Sequence, residues 1–93
     1  MAVDPEAQAQ IARLLADESL RVAPEDALSA AIDTNFERLI DGIVAEAAAS
    51  DDVFDRDSGL EFVQKRVEYL TSALNDEQQA RLLEGVRGKI EAW

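Results

Sequence analysis

The chain contains neither cysteine nor histidine. The first absence excludes disulfides and thiolate metal ligands. The second removes the commonest general base near neutral pH, the commonest metal ligand and every catalytic triad built on imidazole. Two prolines and four glycines among 93 residues leave little material for a turn-rich all-β fold, and no segment sustains the apolar–polar alternation of a half-buried strand. No apolar run approaches the roughly 20 residues of a membrane span. Residues 1–6 lack the basic region and apolar stretch of a secretory signal, so a cytoplasmic protein is expected. Basic residues are also scarce: nine Lys and Arg against twenty Asp and Glu give a net charge of −11. Phosphate backbones and anionic bilayers are held by clustered cations, so neither nucleic acid nor a membrane surface is an expected ligand.

What the chain does have is helical periodicity. Leu60, Val63, Val67, Leu70 and Leu74 recur at steps of three and four, the spacing of one helix face. A second stripe runs through Leu28, Ile32, Phe36, Leu39, Ile43 and Ala47, and a third through Gln79, Leu83, Val86, Ile90 and Trp93. The length is that of one domain, residues 1–93, with a core that must be economical. Of its 44 hydrophobic residues, 16 are Ala, which favour helix but exclude little water.

Local signals divide the chain into four helices. Asp4-Pro5-Glu6 supplies an N-cap, a first-turn proline and an acid at the positive end of the helix dipole. That helix is expected to run to about Glu18 with Ala7, Ile11, Leu14 and Leu15 on its apolar face, followed by a connector packed down through Leu20 and Val22. Pro24 opens a second helix that continues to about Ala49, with a possible kink at Gly42. Ser50–Asp57 breaks the periodicity with residues that compete for backbone hydrogen bonds, and reads as a loop pinned by Val53 and Phe54. Ser58 to Glu61 fits a capping box and starts a third helix that reaches Ala73; Asn75 to Gln78 fits another and starts a fourth. The turn between these two is short enough for an antiparallel hairpin. Leu74–Leu83 resembles the capped helix starts of many small helical proteins, periplasmic stress adaptors among them; cap chemistry alone selects this pattern, and no family follows from it.

Gly42, Gly85 and Gly88 all fall inside expected helices, where each costs about 1 kcal/mol relative to Ala. Two explanations carry equal weight: close approach of helices, or a soft fourth helix that frays near Gly88.

The acids are unevenly spread. Residues 25–57 carry ten acids and two bases, a net −8, while the flanking segments carry −2 and −1. Asp33, Glu37 and Asp41 are spaced four apart and align with Asp26 in a row along the second helix. Like charges at that spacing cost an isolated helix roughly 0.2–0.5 kcal/mol per pair. Asp51, Asp52 and Asp55 extend the acidic surface into the loop. This surface has two readings, a docking face for a basic protein partner or a solubilising coat that pairs across the bundle with Arg66, Arg81, Arg87 or Lys89. An EF-hand comparison fails on register: with Asp55 and Asp57 in the first and third positions, the required glycine would fall at Leu60 and the bidentate Glu at Arg66. Improvised divalent-cation binding by residues 51–57 is a minor alternative, and no dedicated metal or cofactor site is expected.

Phe62 and Tyr69, seven apart, widen the apolar face of the third helix, and Trp93 continues the fourth stripe. Together they form a candidate aromatic anchor, since Trp and Tyr concentrate at binding hot spots; core closure is the plainer role for Trp93. The sequence therefore predicts an all-α four-helix bundle or helical-hairpin array, complete in one chain or as a homodimer. It has no expected catalytic activity and acts by protein association. An acidic decoy that occupies the nucleic-acid site of a basic partner, as some antitoxins do, is the alternative.

Overall fold

The computed structural model describes residues 3–93; Met1 and Ala2, which open the expected non-signal N-terminus, lie outside them. The chain folds into five α-helices, α1 (Pro5–Leu14), α2 (Glu25–Thr34), α3 (Phe36–Ala49), α4 (Arg56–Tyr69) and α5 (Asp76–Glu91), with 3₁₀ segments at Glu18–Val22 and Thr71–Ala73. No strand occurs among the described residues, and none of their helices is long and apolar enough to cross a membrane. The molecule measures 37 × 24 × 21 Å.

α5 inserts one narrow stripe, Gln78, Leu82, Val86 and Ile90, between α3 and α4. The last three of these are fully buried. The stripe advances by four at every step, one position away from the expected Gln79 and Leu83, which are only partly buried. Val63 and Val67 of α4, Leu70 at its C-cap, and Leu39 and Ile43 of α3 join it in the core without measurable exposure. Such a side chain contributes roughly 1.5–3 kcal/mol by leaving water, so these few residues carry most of the favourable energy. The start of α4 lies against the end of α5, because Gly59 packs beside Ile90 and Trp93. The two helices thus form the expected antiparallel hairpin.

Of the three glycines expected inside helices, close approach explains two. A Cβ on Gly85 would lie 2.6 Å from Ile40 Cδ1, and one on Gly42 would lie 3.1 Å from Leu14 Cδ2. Gly88 has open space around it. Nevertheless α5 continues through it to Glu91, so the helix does not fray there.

The expected second helix is two helices. The interruption falls at Asn35, not at Gly42. Asn35 Nδ2 donates to the Ala31 carbonyl at 3.0 Å and Thr34 Oγ1 to the Ala30 carbonyl at 2.9 Å. Two consecutive side chains thus compete for the same turn's acceptors, which bends the chain. The first helix also stops earlier than Glu18. Ala16 adopts a left-handed φ of 54°, and the Asp17 amide bonds back to the Ala12 carbonyl at 2.9 Å in the manner of a Schellman close. In the following 3₁₀ segment Leu20 is buried as expected, but Val22 is 88% exposed.

Two buried glutamines anchor these irregular segments. Gln8 Nε2 donates to the Leu20 carbonyl and, at 3.0 Å, to that of Ala23, tying the connector down onto α1. Gln78 closes the α5 capping box, its Oε1 accepting from the Asn75 amide at 3.1 Å. Its Nε2 reaches Asp33 Oδ1 at 2.9 Å, Ser29 Oγ at 3.1 Å and the Ser29 carbonyl at 3.2 Å. One amide thus caps α5 and holds α2.

Two stability changes follow. Ala16→Gly relieves the left-handed strain and raises unfolding stability by about 1 kcal/mol in urea denaturation. Gln78→Leu removes the partner of the part-buried Ser29, Asp33 and Asn75 hydrogen bonds and costs about 1–3 kcal/mol by the same assay. A neutral effect would show that the α2 link is not maintained in solution.

Candidate functional site

The segment between α3 and α4 is built from short side-chain turns. Ser50 Oγ accepts from the Asp52 amide at 3.2 Å, and the Val53 amide donates to the Ser50 carbonyl at 3.2 Å. α4 then begins one turn earlier than its sequence suggested. Its cap is Asp55, not Ser58: the Asp55 carboxylate accepts from the Ser58 amide at 2.8 Å, and Ser58 Oγ accepts from the Asp55 amide at 3.1 Å. Ser58 Oγ also accepts from the Phe54 amide at 3.0 Å. The backbone of Phe54 is therefore fixed while its ring is 83% exposed, contrary to the expected pinning role; only Val53 turns partly inward.

Gly59, the fourth residue of α4, is buried and is where several apolar groups meet. The position its Cβ would take lies 3.3 Å from Trp93 Cζ3, 3.1 Å from Ile90 Cγ2 and 3.6 Å from Val53 Cγ1. A larger side chain here would push the Trp93 ring away. Trp93 packs beside this glycine and remains 52% exposed. Val53 also borders Phe62 in a shallow depression shared with Asp52, Ser58, Glu61 and Lys65. Phe54, Val53, Phe62 and Trp93 thus gather at one end of the molecule, around the start of α4.

The predicted aromatic trio divides. Phe62 and Trp93 belong to this cluster, with Phe62 partly buried and the Arg66 guanidinium 5.4 Å from its ring centre. Tyr69 lies ten residues further along α4, about 15 Å from Gly59. Its hydroxyl donates to Glu6 Oε2 at 2.7 Å. That hydrogen bond, followed by partial burial and the negative charge of Glu6, raises the phenol pKa. Tyr69 ties α4 to α1 at the opposite end of the helix.

The predicted acids divide as well. Asp26 and Asp33 lie on α2, Glu37 and Asp41 on α3, with the Asn35 interruption between them, so no single helix carries the row. Asp33 receives Gln78, and Asp41 lies 3.9 Å from Lys89 Nζ. Glu37 borders the surface depression between α3 and α5 together with Arg81, whose guanidinium stacks 4.5 Å from the Phe36 ring centre. Of the proposed cross-bundle cations, Lys89 makes such a pair. Arg66 pairs instead with Glu46, at 3.7 Å.

Asp51, Asp52 and Asp55, joined by Asp57, are a different group. All four are exposed, border the aromatic cluster along the chain and have no cationic partner among the described residues. The hydrogen bonds from the Ser58 amide and hydroxyl lower the Asp55 pKa. On the neighbouring turn Glu61 and Lys65 pair at 2.9 Å, which raises the Lys65 pKa. Among the described residues no three Asp, Glu, His or Cys side chains converge closely enough to hold a metal ion. The loop acids therefore present charge outward without a cation-binding geometry. The residue that the sequence reading missed is Phe54; Pro-free Val53-Phe54 between four acids was its only signal.

Comparison with family models, curated proteins and solved structures finds no match to this chain.

The Asp55 cap makes a pH prediction. A lowered carboxylate pKa contributes stability above the ordinary value near 3.9, and the contribution disappears as pH falls through the lowered one. Asn can accept the same amide but carries no charge toward the helix dipole. Wild type should therefore melt above Asp55→Asn at pH 7, with the gap closing over the range below about pH 4. Thermal melts of both proteins across that range test this; a gap independent of pH would contradict the charged cap.

Proposed function

We propose that this protein is a non-catalytic helical interaction module that binds another protein through the aromatic end formed by Phe54, Val53, Phe62 and Trp93. The exposure of Phe54 carries the reading. A phenylalanine left in water forgoes roughly 1.5–3 kcal/mol of burial, and here its backbone is held by Ser58 in a formed turn. Two large side chains, Phe54 and Trp93, are exposed near the start of α4, where Trp93 and Val53 both approach Gly59 and Val53 and Phe62 share a depression with four polar residues. Exposed aromatics bordered by charge are the arrangement of an interface core with a polar rim. The acids of residues 51–57 supply that rim, and their role is to orient the partner and exclude polyanions.

The test is affinity capture from nuclease-treated lysate of the source organism, with wild type and Phe54→Ser compared side by side. Phe54 makes little contact with the core, so the substitution should leave thermal stability within about 0.5 kcal/mol of wild type. Wild type should retain a specific partner that Phe54→Ser loses. Identical partners on the two proteins would overturn the reading.

A further inference from the structure

We infer that the aromatic end takes a cationic amphipathic segment of another protein, with apolar side chains over Phe54 and Trp93 and Lys or Arg side chains meeting Asp51, Asp52 and Asp57; this rests on the docking role proposed above. The argument is one of compensation. Elsewhere the carboxylates either have cations, as Glu46 has Arg13 and Arg66, Glu18 has Arg21, Asp41 has Lys89 and Glu61 has Lys65, or stand singly or in adjacent twos along the chain. Along residues 51–57 four carboxylates are compressed into seven positions with one base, Arg56, which is paired with none of them among the described residues. Asp55 is turned onto its own helix start, so Asp51, Asp52 and Asp57 are the charges left to a partner.

A second copy of this chain fits poorly by the same criterion. A two-fold interface brings the same patch against itself, so the acids of one chain would face those of the other. Unpaired like charges at a contact oppose binding. Lys65, the one cation lining the depression, already pairs with Glu61 and offers no relief. A polyanion is disfavoured more strongly still. A neutral apolar peptide would cover the rings but leave the acids uncompensated. A cationic one satisfies both features together.

The intact chain should be titrated with three synthetic amphipathic peptides that share one Leu pattern and carry Lys, Gln or Glu on the polar face. Emission from Trp93, the only tryptophan, and backbone amide shifts report binding and its location. The inference expects the Lys peptide to bind with a blue shift of Trp93 and shifts centred on residues 51–62 and 93. It expects the Gln peptide to bind roughly tenfold more weakly, the Glu peptide weaker again, and salt to erode the Lys preference. The triple variant Asp51→Asn, Asp52→Asn, Asp57→Asn should reduce the Lys peptide to the Gln level without altering the fold, and Phe54→Ser should weaken both. Equal affinity for Lys and Gln peptides would overturn the cationic partner while sparing the docking surface. Lys-peptide binding indifferent to Phe54→Ser would overturn the inference as diffuse charge attraction. Concentration-dependent dimerisation through Phe54, in place of peptide binding, would overturn it in favour of self-association. A monomer that binds none of the three would overturn both readings.

Discussion

The close insertion of α5 between α3 and α4 is the constraint on which the rest of this molecule depends. It requires a narrow face, and α5 meets that with Leu82, Val86 and Ile90 in strict fourfold spacing. Approach to α3 further requires that no Cβ stand at Gly85, where Ile40 occupies the space, and approach to α4 uses Gly59 in the same way. The about 1 kcal/mol that a helical glycine forfeits in propensity is small against the burial of several aliphatic side chains at roughly 1.5–3 kcal/mol each. Packing therefore decides in favour of glycine at these contacts. Gly88, which faces open space, gains no such packing.

Two side-chain amides hold the parts that this insertion does not reach. α2 and the 3₁₀ connector contribute few large buried residues, chiefly Leu20, Leu28 and Ile32, and each is tied to another helix by a side-chain amide. Gln8 serves the connector and Gln78 serves α2. Each lies nearly buried at the meeting of two segments distant in sequence, where a missing partner costs the full desolvation of the stranded group. The same economy explains why irregular backbone is tolerated at Ala16 and Asn35: local side-chain and reverse-turn bonds satisfy the groups that the helices release.

Beyond the core, the surface divides into acids that are engaged and acids that are not. Asp33, Asp41, Glu46 and Glu61 are engaged by neighbouring side chains, whereas four acids crowd into residues 51–57 without a cationic partner among the described residues. Asp51, Asp52 and Asp57 coincide with the end where Trp93 packs beside Gly59 and stays half open. Packing and charge thus single out one place on the molecule, and both derive from how α4 starts.

The helical class, the α4–α5 hairpin, the α5 cap at Asn75 and the burial of Val63, Val67 and Leu70 were legible in the sequence, because 3.6-residue periodicity and capping chemistry act over a few neighbouring residues. The exact register of α5 was not: Gln78 and Gln79 are equivalent to a periodicity argument, and only Ser29 and Asp33 on a distant helix select Gln78 as the buried one. The break at Asn35 lay hidden for a related reason, since Thr34 and Asn35 can point to solvent in a straight helix or turn back to bend one. Of the candidate site, the acids of residues 51–57 and the aromatic Trp93 could each be named from sequence, but their meeting could not. The sequence reads Phe54 as a pin for its loop, whereas Ser58 takes its amide and the ring stands outside. Composition and local pattern determined what the helices are; long-range contacts, through Gly59 and Gln78, decided which residues they leave exposed together.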